Sequence, residues 1–190
     1  MSAGSSGRQV WVVLLRGINL GAVNRVSMAA LRGALVEVGY GGARTHLQSG
    51  NILLTGDTNE EGLSTQVERL LATRFGVAAP AVCRKATDLA RVVADNPLAE
   101  LALTDPKRFQ VTFLRDAPDD ELAADLAAVT APAERVAVLG REIFAWHPDG
   151  IARSRLWARL GASGGVGGTT ATSRNWSTVT ALHERAINVR

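Results

Sequence analysis

Strand-like and helix-like segments follow one another in the order β-α-β-β-α-β over the first half of the chain, and few folds accept that order. The opening run QVWVVLLRG is almost continuously apolar and rich in β-branched residues, which is typical of a central strand with both faces covered. A helix-like stripe then begins after Ser27, a good N-cap residue, and Gly39 is placed to end it. This start favours a split-βαβ unit, the ferredoxin-like arrangement.

The next segments complete such a unit. ARTHLQSGNILLTG predicts two short strands joined by a tight turn at Ser49 and Gly50. Apolar residues at helical spacing predict a second helix that ends at Gly76, and AVCRK predicts a fourth strand. We therefore expect a flexible tail over residues 1–7 and a first ferredoxin-like unit over residues 8–96.

The pattern restarts after residues 97–107, which contain two prolines and are predicted to form an irregular linker. RFQVTFLR, PDDELAADLAAV, ERVAVLG, EIFAWHP and IARSRLWARL predict strand, helix, strand, strand and helix. After the flexible, glycine-rich GASGGVGGTT, residues 108–190 close with a C-terminal helix. The prediction is an α+β protein of two ferredoxin-like (split βαβ) units, with antiparallel or mixed sheets and helices packed on one face.

Composition excludes several classes of protein. The 190 residues carry a formal net charge of +3, which is too mild to indicate nucleic-acid binding by itself. Cys83 is the single cysteine, so an intrachain disulfide and a cysteine-based zinc site are excluded. The apolar run that Arg16 ends is too short for a signal peptide or a membrane span. We expect a cytoplasmic location.

The loop between the first strand and the first helix is the first candidate site. An arginine, two glycines and a helix N-terminus in this order can place guanidinium and backbone N–H groups around an anion, and asparagines can add amide donors. The spacing matches neither a Walker A loop nor a dinucleotide-binding fingerprint. A structural role is equally open, because Gly and Asn favour left-handed backbone conformations. The candidate ligand-binding residues are Arg16, Gly17, Asn19, Gly21, Asn24 and Arg25.

Two further blocks extend this candidate site. In QSGN, Gln48, Ser49 and Asn51 can project beside the opening loop, although a hairpin turn alone also explains the motif. In SRNW, Ser173 is predicted to cap the last helix, with Arg174, Asn175 and Trp176 in its first turn. There the arginine can bind a phosphate and the tryptophan can stack on a ring, or the tryptophan can pack into the core.

These blocks also carry a family resemblance. LLRGINLGAVNRVSMAALR, HLQSGNILL and TATSRNWSTVTAL resemble the signature blocks of domain-of-unknown-function family 1697, an uncharacterised bacterial family. The resemblance implies paired ferredoxin-like units and supplies no catalytic residues. Members often have a second glycine and then a basic or polar residue where this chain has Ala22 and Val23, so the loop is less cationic here, with Arg25 nearby.

No other residues suggest a catalytic or metal site. His46, His147 and His183 lack metal-ligand spacing, and no cofactor motif is present, so the cofactor is left unknown. Our first hypothesis is a protein that binds a phosphate-bearing ligand, either a nucleotide or a nucleic-acid segment. Two alternatives stay open: an enzyme acting on a small anionic substrate, and a homo-oligomeric interaction protein.

Overall fold

The computed structural model describes residues 8–21, 23–161 and 166–189, which divide into two compact units. One unit comprises the described residues up to Leu89 together with those from Leu182 onward, and the other is Ala90–Ala181. The predicted tail, Ala22 and residues 162–165 of the glycine-rich segment lie outside the described residues. The unit boundaries fall within helices rather than in the 97–107 segment.

The first unit has the predicted element order. Its elements are β1 (Gln9–Leu15), α1 (Met28–Glu37), β2 (Gly41–His46), β3 (Asn51–Gly56), α2 (Glu60–Phe75), β4 (Ala81–Lys85) and the start of α3 (Ala86–Ala94). The sheet order is β2-β3-β1-β4, with every neighbouring pair antiparallel. Because β1 and β2 both run antiparallel to β3, the crossover through α1 is a split βαβ, and the ferredoxin-like prediction is confirmed.

The second unit repeats this arrangement. Its elements include α4 (Ala99–Thr104), β5 (Phe109–Leu114), α5 (Leu122–Val129), β6 (Arg135–Leu139), β7 (Glu142–Trp146), α6 (Arg155–Leu160) and β8 (Ala171–Asn175), followed by α7 (Trp176–Ile187). The sheet order is β6-β7-β5-β8, again antiparallel throughout. Both described sheets are therefore antiparallel, and no mixed sheet occurs among the described residues.

The first unit builds its core on one face of its sheet. Alternate residues of β1, namely Trp11, Val13 and Leu15, are buried against the apolar stripes of α1 and α2. The start of α1 and the end of α2 lie where the sequence predicts. Ser27 caps α1 by accepting from the Ala30 N–H, and Gly76 ends α2 in a left-handed conformation. The second unit packs α5 and α6 in the same way on its own sheet.

Equivalent backbone hydrogen bonds support a relation between the units. The Leu15 N–H donates to Gly50 at 2.8 Å, and the corresponding Leu114 N–H donates to Arg141 at 2.9 Å. The residue after each of these strands, Arg16 or Arg115, donates its N–H into the loop before the fourth strand, in both cases at 2.8 Å. The Leu-Arg pair at the end of the first strand, Leu15-Arg16 in one unit and Leu114-Arg115 in the other, thus occupies equivalent positions in the two units.

Two local predictions were wrong. Residues 97–107 are not irregular throughout, since Ala99–Thr104 form α4 between the two prolines. Ser173 does not cap the last helix, and Arg174 and Asn175 do not form its first turn, because β8 continues through Asn175 and pairs with β5. A strand partner distant in sequence outweighs the local capping signal. None of the described helices is long and apolar enough to cross a membrane.

Candidate functional site

The structure brings the first two blocks together through Asn19. Its side-chain amide donates to the backbone carbonyl of Gln48 at 2.7 Å and to the backbone carbonyl of Val26 at 3.1 Å. Its side-chain oxygen accepts from the Val26 N–H at 2.9 Å. Asn19 therefore fastens both the end of its own loop and the β2–β3 turn, so the opening loop and the hairpin form one surface.

The other two asparagines also support the backbone. Asn24 donates its side-chain amide to the Gly17 carbonyl at 3.0 Å, and its φ of 51° is left-handed, as is the φ of 53° at Asn19. Asn51 is fully buried and donates to the His46 carbonyl and the Ser49 hydroxyl, each at 3.0 Å. These amides shape the loop and the hairpin and are not presented to solvent as a row of ligand donors.

A cavity of about 400 Å³ opens where the loop meets the hairpin. It is lined by Asn19, Gly21, Arg25, Val26, Ser27 and Gln48. Arg25 and Gln48 are exposed, and within the described chain their side chains form no hydrogen bond or ion pair. These two side chains are consequently the polar groups that remain available to a ligand in this cavity, whereas Asn19 is already engaged.

The helix behind the cavity favours negative charge. α1 begins directly after Ser27, and its first turn contains no acidic residue, in contrast to α2, which has Glu60 and Glu61 there. The free N–H groups of a helix N-terminus carry partial positive charge, which stabilises anions. Arg16 is half-buried at the end of β1 and is not a lining residue of this cavity.

The SRNW block lies in the second unit, and its side chains are engaged there. Arg174 is buried in β8 and donates to the Thr172 hydroxyl at 2.9 Å and the Ser173 carbonyl at 2.7 Å. Burial lowers the pKa of Arg174 to about 10, so it is still a cation at neutral pH. Asn175 accepts from the Thr178 N–H at 2.9 Å, which makes it the cap of α7.

Trp176 follows the core alternative. It is buried, and its ring meets Phe109 edge to face with the centroids 5.6 Å apart. The sequence offered stacking on a ligand and packing in the core as alternatives, and the side chain packs in the core.

Comparison with known proteins places this chain in a family. The family model described as "Protein of unknown function (DUF1697)" matches residues 9–144. The chain belongs to the DUF1697 family. The conserved bacterial protein SP0830 from Streptococcus pneumoniae is similar in structure, with a TM-score of 0.77 and 21% sequence identity over 95% of this chain and 99% of that one. That likeness shows the fold. None of the curated proteins compared with the chain matches it.

The structure of this DUF1697 protein also contains a buried polar cluster that the sequence did not reveal. His147 Nδ1 lies 2.9 Å from a carboxylate oxygen of Glu134 and 3.1 Å from the Ser154 hydroxyl. The three residues are separated along the chain and match no motif, so only the conjunction of β6, β7 and α6 reveals them. Among the described residues, no group of three histidine, cysteine or acidic side chains is placed to hold a metal ion.

Electrostatics make Glu134 the charged member of this cluster. Burial alone would raise its pKa, but hydrogen bonds from the Ser154 hydroxyl, the Ala131 N–H and His147 outweigh burial and lower the pKa of the carboxyl below its ordinary value. Glu134 is thus held as a carboxylate with three donors around it.

Proposed function

We propose that this protein is a cytoplasmic binding protein for a phosphate-bearing ligand, either a nucleotide or a nucleic-acid segment, and that the ligand binds at the loop–hairpin cavity of the first unit. The observation that carries the proposal is that two polar side chains, Arg25 and Gln48, line a cavity at the start of α1 and form no hydrogen bond or ion pair within the described residues. An arginine fork matches the oxygens of a phosphate group.

Preorganisation supports this assignment. The side-chain amides of Asn19 and Asn24 donate hydrogen bonds that hold the loop in place, so ligand binding does not first have to order the loop. The cavity is small, about 400 Å³, which suits one phosphate and its immediate neighbours rather than a whole dinucleotide. The remainder of a longer ligand would extend over the surrounding surface.

The equivalent loop of the second unit offers a contrast that agrees with the proposal. The segment after β5 contains Asp116, Asp119, Asp120 and Glu121 beside Arg115, whereas the segment after β1 contains Arg16 and Arg25 and no acidic residue. Carboxylates repel a phosphate, so we assign the ligand to the first of the two related loops.

The test is a titration of labelled single-stranded RNA and of common nucleotides at low and high salt. We expect binding at low salt that weakens as salt rises, and an Arg25→Ala variant that binds about tenfold more weakly, because a charge-assisted hydrogen bond contributes roughly 1.5 kcal/mol or more. Arg69→Ala is the matched control, since Arg69 is an exposed arginine on α2 outside the cavity lining.

Two results would contradict the proposal. One is the absence of binding to every probe at low salt. The other is an equal loss of affinity in Arg25→Ala and Arg69→Ala, which would reduce the effect to net charge. Comparison of mononucleotides with RNA of increasing length separates the two ligand classes, because only a nucleic-acid site gains affinity as the chain is extended.

A further inference from the structure

A second cavity, of about 870 Å³, lies wholly within the second unit. One wall is the segment 128–134, where α5 ends and β6 begins, and the other is the segment 149–155, which leads into α6. Arg108, just before β5, also lines it. Its volume falls in the range of about 300–1,000 Å³ that is typical of sites for small molecules.

The buried cluster around Glu134 holds these two walls together. One carboxylate oxygen of Glu134 accepts from the Ala131 N–H at 3.0 Å and so fixes the first wall, while the other lies against His147. Ser154, on the second wall, contacts the same imidazole nitrogen and accepts from the Trp157 N–H at 2.9 Å. Since His147 is fully buried and Glu134 nearly so, the cavity is built on a rigid internal support.

This cluster does not have the geometry of a hydrolytic triad. The serine and the acid both approach Nδ1 of His147, and Nε2 has no hydrogen-bond partner among the described residues. A proton relay requires the nucleophile and the acid on opposite nitrogens of the ring. The arrangement therefore supports a binding cavity and not acyl transfer by Ser154.

The charged side chains of the lining favour an anion. Arg153 and Arg155 are exposed, flank Ser154 and form no ion pair or hydrogen bond within the described chain. Arg108, by contrast, is paired with Asp105 at 3.4 Å. Of the two carboxylates in the lining, Glu134 is surrounded by donors, and Asp149 is exposed.

The facing wall has a different chemistry. Residues 128–133 contribute three alanines, a valine and a proline, and the one hydroxyl among them, on Thr130, is already bonded to the Leu126 carbonyl at 2.6 Å. A molecule that occupies the cavity thus meets guanidinium groups on one side and an apolar surface on the other. Such a site recognises a charged head joined to an apolar or flat organic body.

We propose that this cavity is a second ligand site, which binds an organic phosphate monoester with its phosphate on Arg153 and Arg155 and its organic body against residues 128–133. Two guanidinium groups supply enough N–H donors for the three terminal oxygens of a monoester, whereas a carboxylate has only two oxygens to offer. The site shares no residue with the loop–hairpin cavity, so this proposal does not depend on the function proposed above.

Calorimetric titration of the full chain with phenyl phosphate, inorganic phosphate and benzoate tests each part of the proposal. We expect phenyl phosphate to bind most tightly, because inorganic phosphate lacks the apolar body and benzoate lacks the third oxygen. The double variant Arg153→Ala/Arg155→Ala should lose at least about tenfold in affinity for phenyl phosphate. Both side chains are exposed, so the double variant is expected to fold, which circular dichroism verifies.

Arg159→Ala is the matched control, because Arg159 lies on α6 outside the cavity lining and pairs with Asp125 at 3.9 Å. It should bind like the wild type. Unchanged affinity in the double variant would overturn the proposal. So would equal binding of benzoate, which rejects the phosphate, or equal binding of inorganic phosphate, which rejects the apolar wall.

Discussion

Gly50 lies where the hairpin backbone approaches β1 so closely that no side chain fits. A Cβ atom built there would lie 2.7 Å from the Leu15 Cβ and 2.8 Å from the Ile18 Cδ1, and the φ of 74° is left-handed. The glycine of the QSGN motif is therefore required by packing as well as by the turn. This requirement explains the glycine of the motif without any ligand.

We predict that Gly50→Ala lowers the free energy of unfolding by about 2–4 kcal/mol, combining left-handed strain with overpacking. Gly42→Ala is the matched control, because Gly42 has a similar φ of 66° but a Cβ atom added to it would meet nothing within 4 Å. It should lose only about 1 kcal/mol. Urea denaturation measures both variants, and equal losses would show that the contacts with Leu15 and Ile18 contribute nothing.

Among the elements, β6, β7 and α6 of the second unit are joined by the carboxylate of Glu134. Because its folded pKa is lowered, the carboxylate stabilises the fold above the ordinary pKa of 4.5, and this contribution is lost as pH falls through the lowered pKa. The stabilisation is therefore present at neutral pH and disappears in acid.

We predict that Glu134→Gln reduces the free energy of unfolding by about 1.5–3 kcal/mol at neutral pH, the usual contribution of hydrogen bonds to a charged group. The difference from the wild type should shrink as pH falls below the ordinary carboxyl pKa of 4.5 and through the lowered pKa of Glu134. Urea denaturation across this range measures it, with Glu121→Gln as an exposed control that changes little. A difference that is constant with pH would contradict the role of the charge.

The elements also show what sequence can and cannot predict. Helix ends at Ser27 and Gly76 were predicted because capping depends on residues a few positions apart. Asn175 was assigned to a helix because its strand partner, Gln110, is distant in sequence and local signals do not register it. The candidate site is also only partly predictable from sequence. Only the structure shows that the side-chain amides of Asn24 and Asn51 donate to backbone carbonyls nearby in the chain.

Over the whole molecule, the two compact units do not coincide with two continuous halves of the chain. The C-terminal end of α7 belongs to the first unit, where Glu184, Arg185 and neighbouring residues line a cavity of about 270 Å³ with Arg44, Thr45 and Leu53. Burial, and then the positive charge of Arg185, lower the pKa of His46 on β2. The helix thus changes its unit between Ala181 and Leu182.

We predict that two buried positions on this helix affect different sheets. Leu182→Ala should increase amide exchange mainly in β1–β4, and Val179→Ala mainly in β5–β8, because each leaves a cavity in its own unit. Hydrogen exchange followed by mass spectrometry resolves the strands. The same exchange pattern in both variants would contradict the division of the helix.

The divided helix has a consequence for synthesis. A ribosome releases the chain from its N-terminus, so β1–β4 emerge early, yet residues 182–189 of the same unit emerge after every residue of the second unit. Domains that are continuous in sequence can finish folding in the order in which they are made. Here the unit whose first residues emerge earliest is completed last, because its residues 182–189 follow the whole of the other unit.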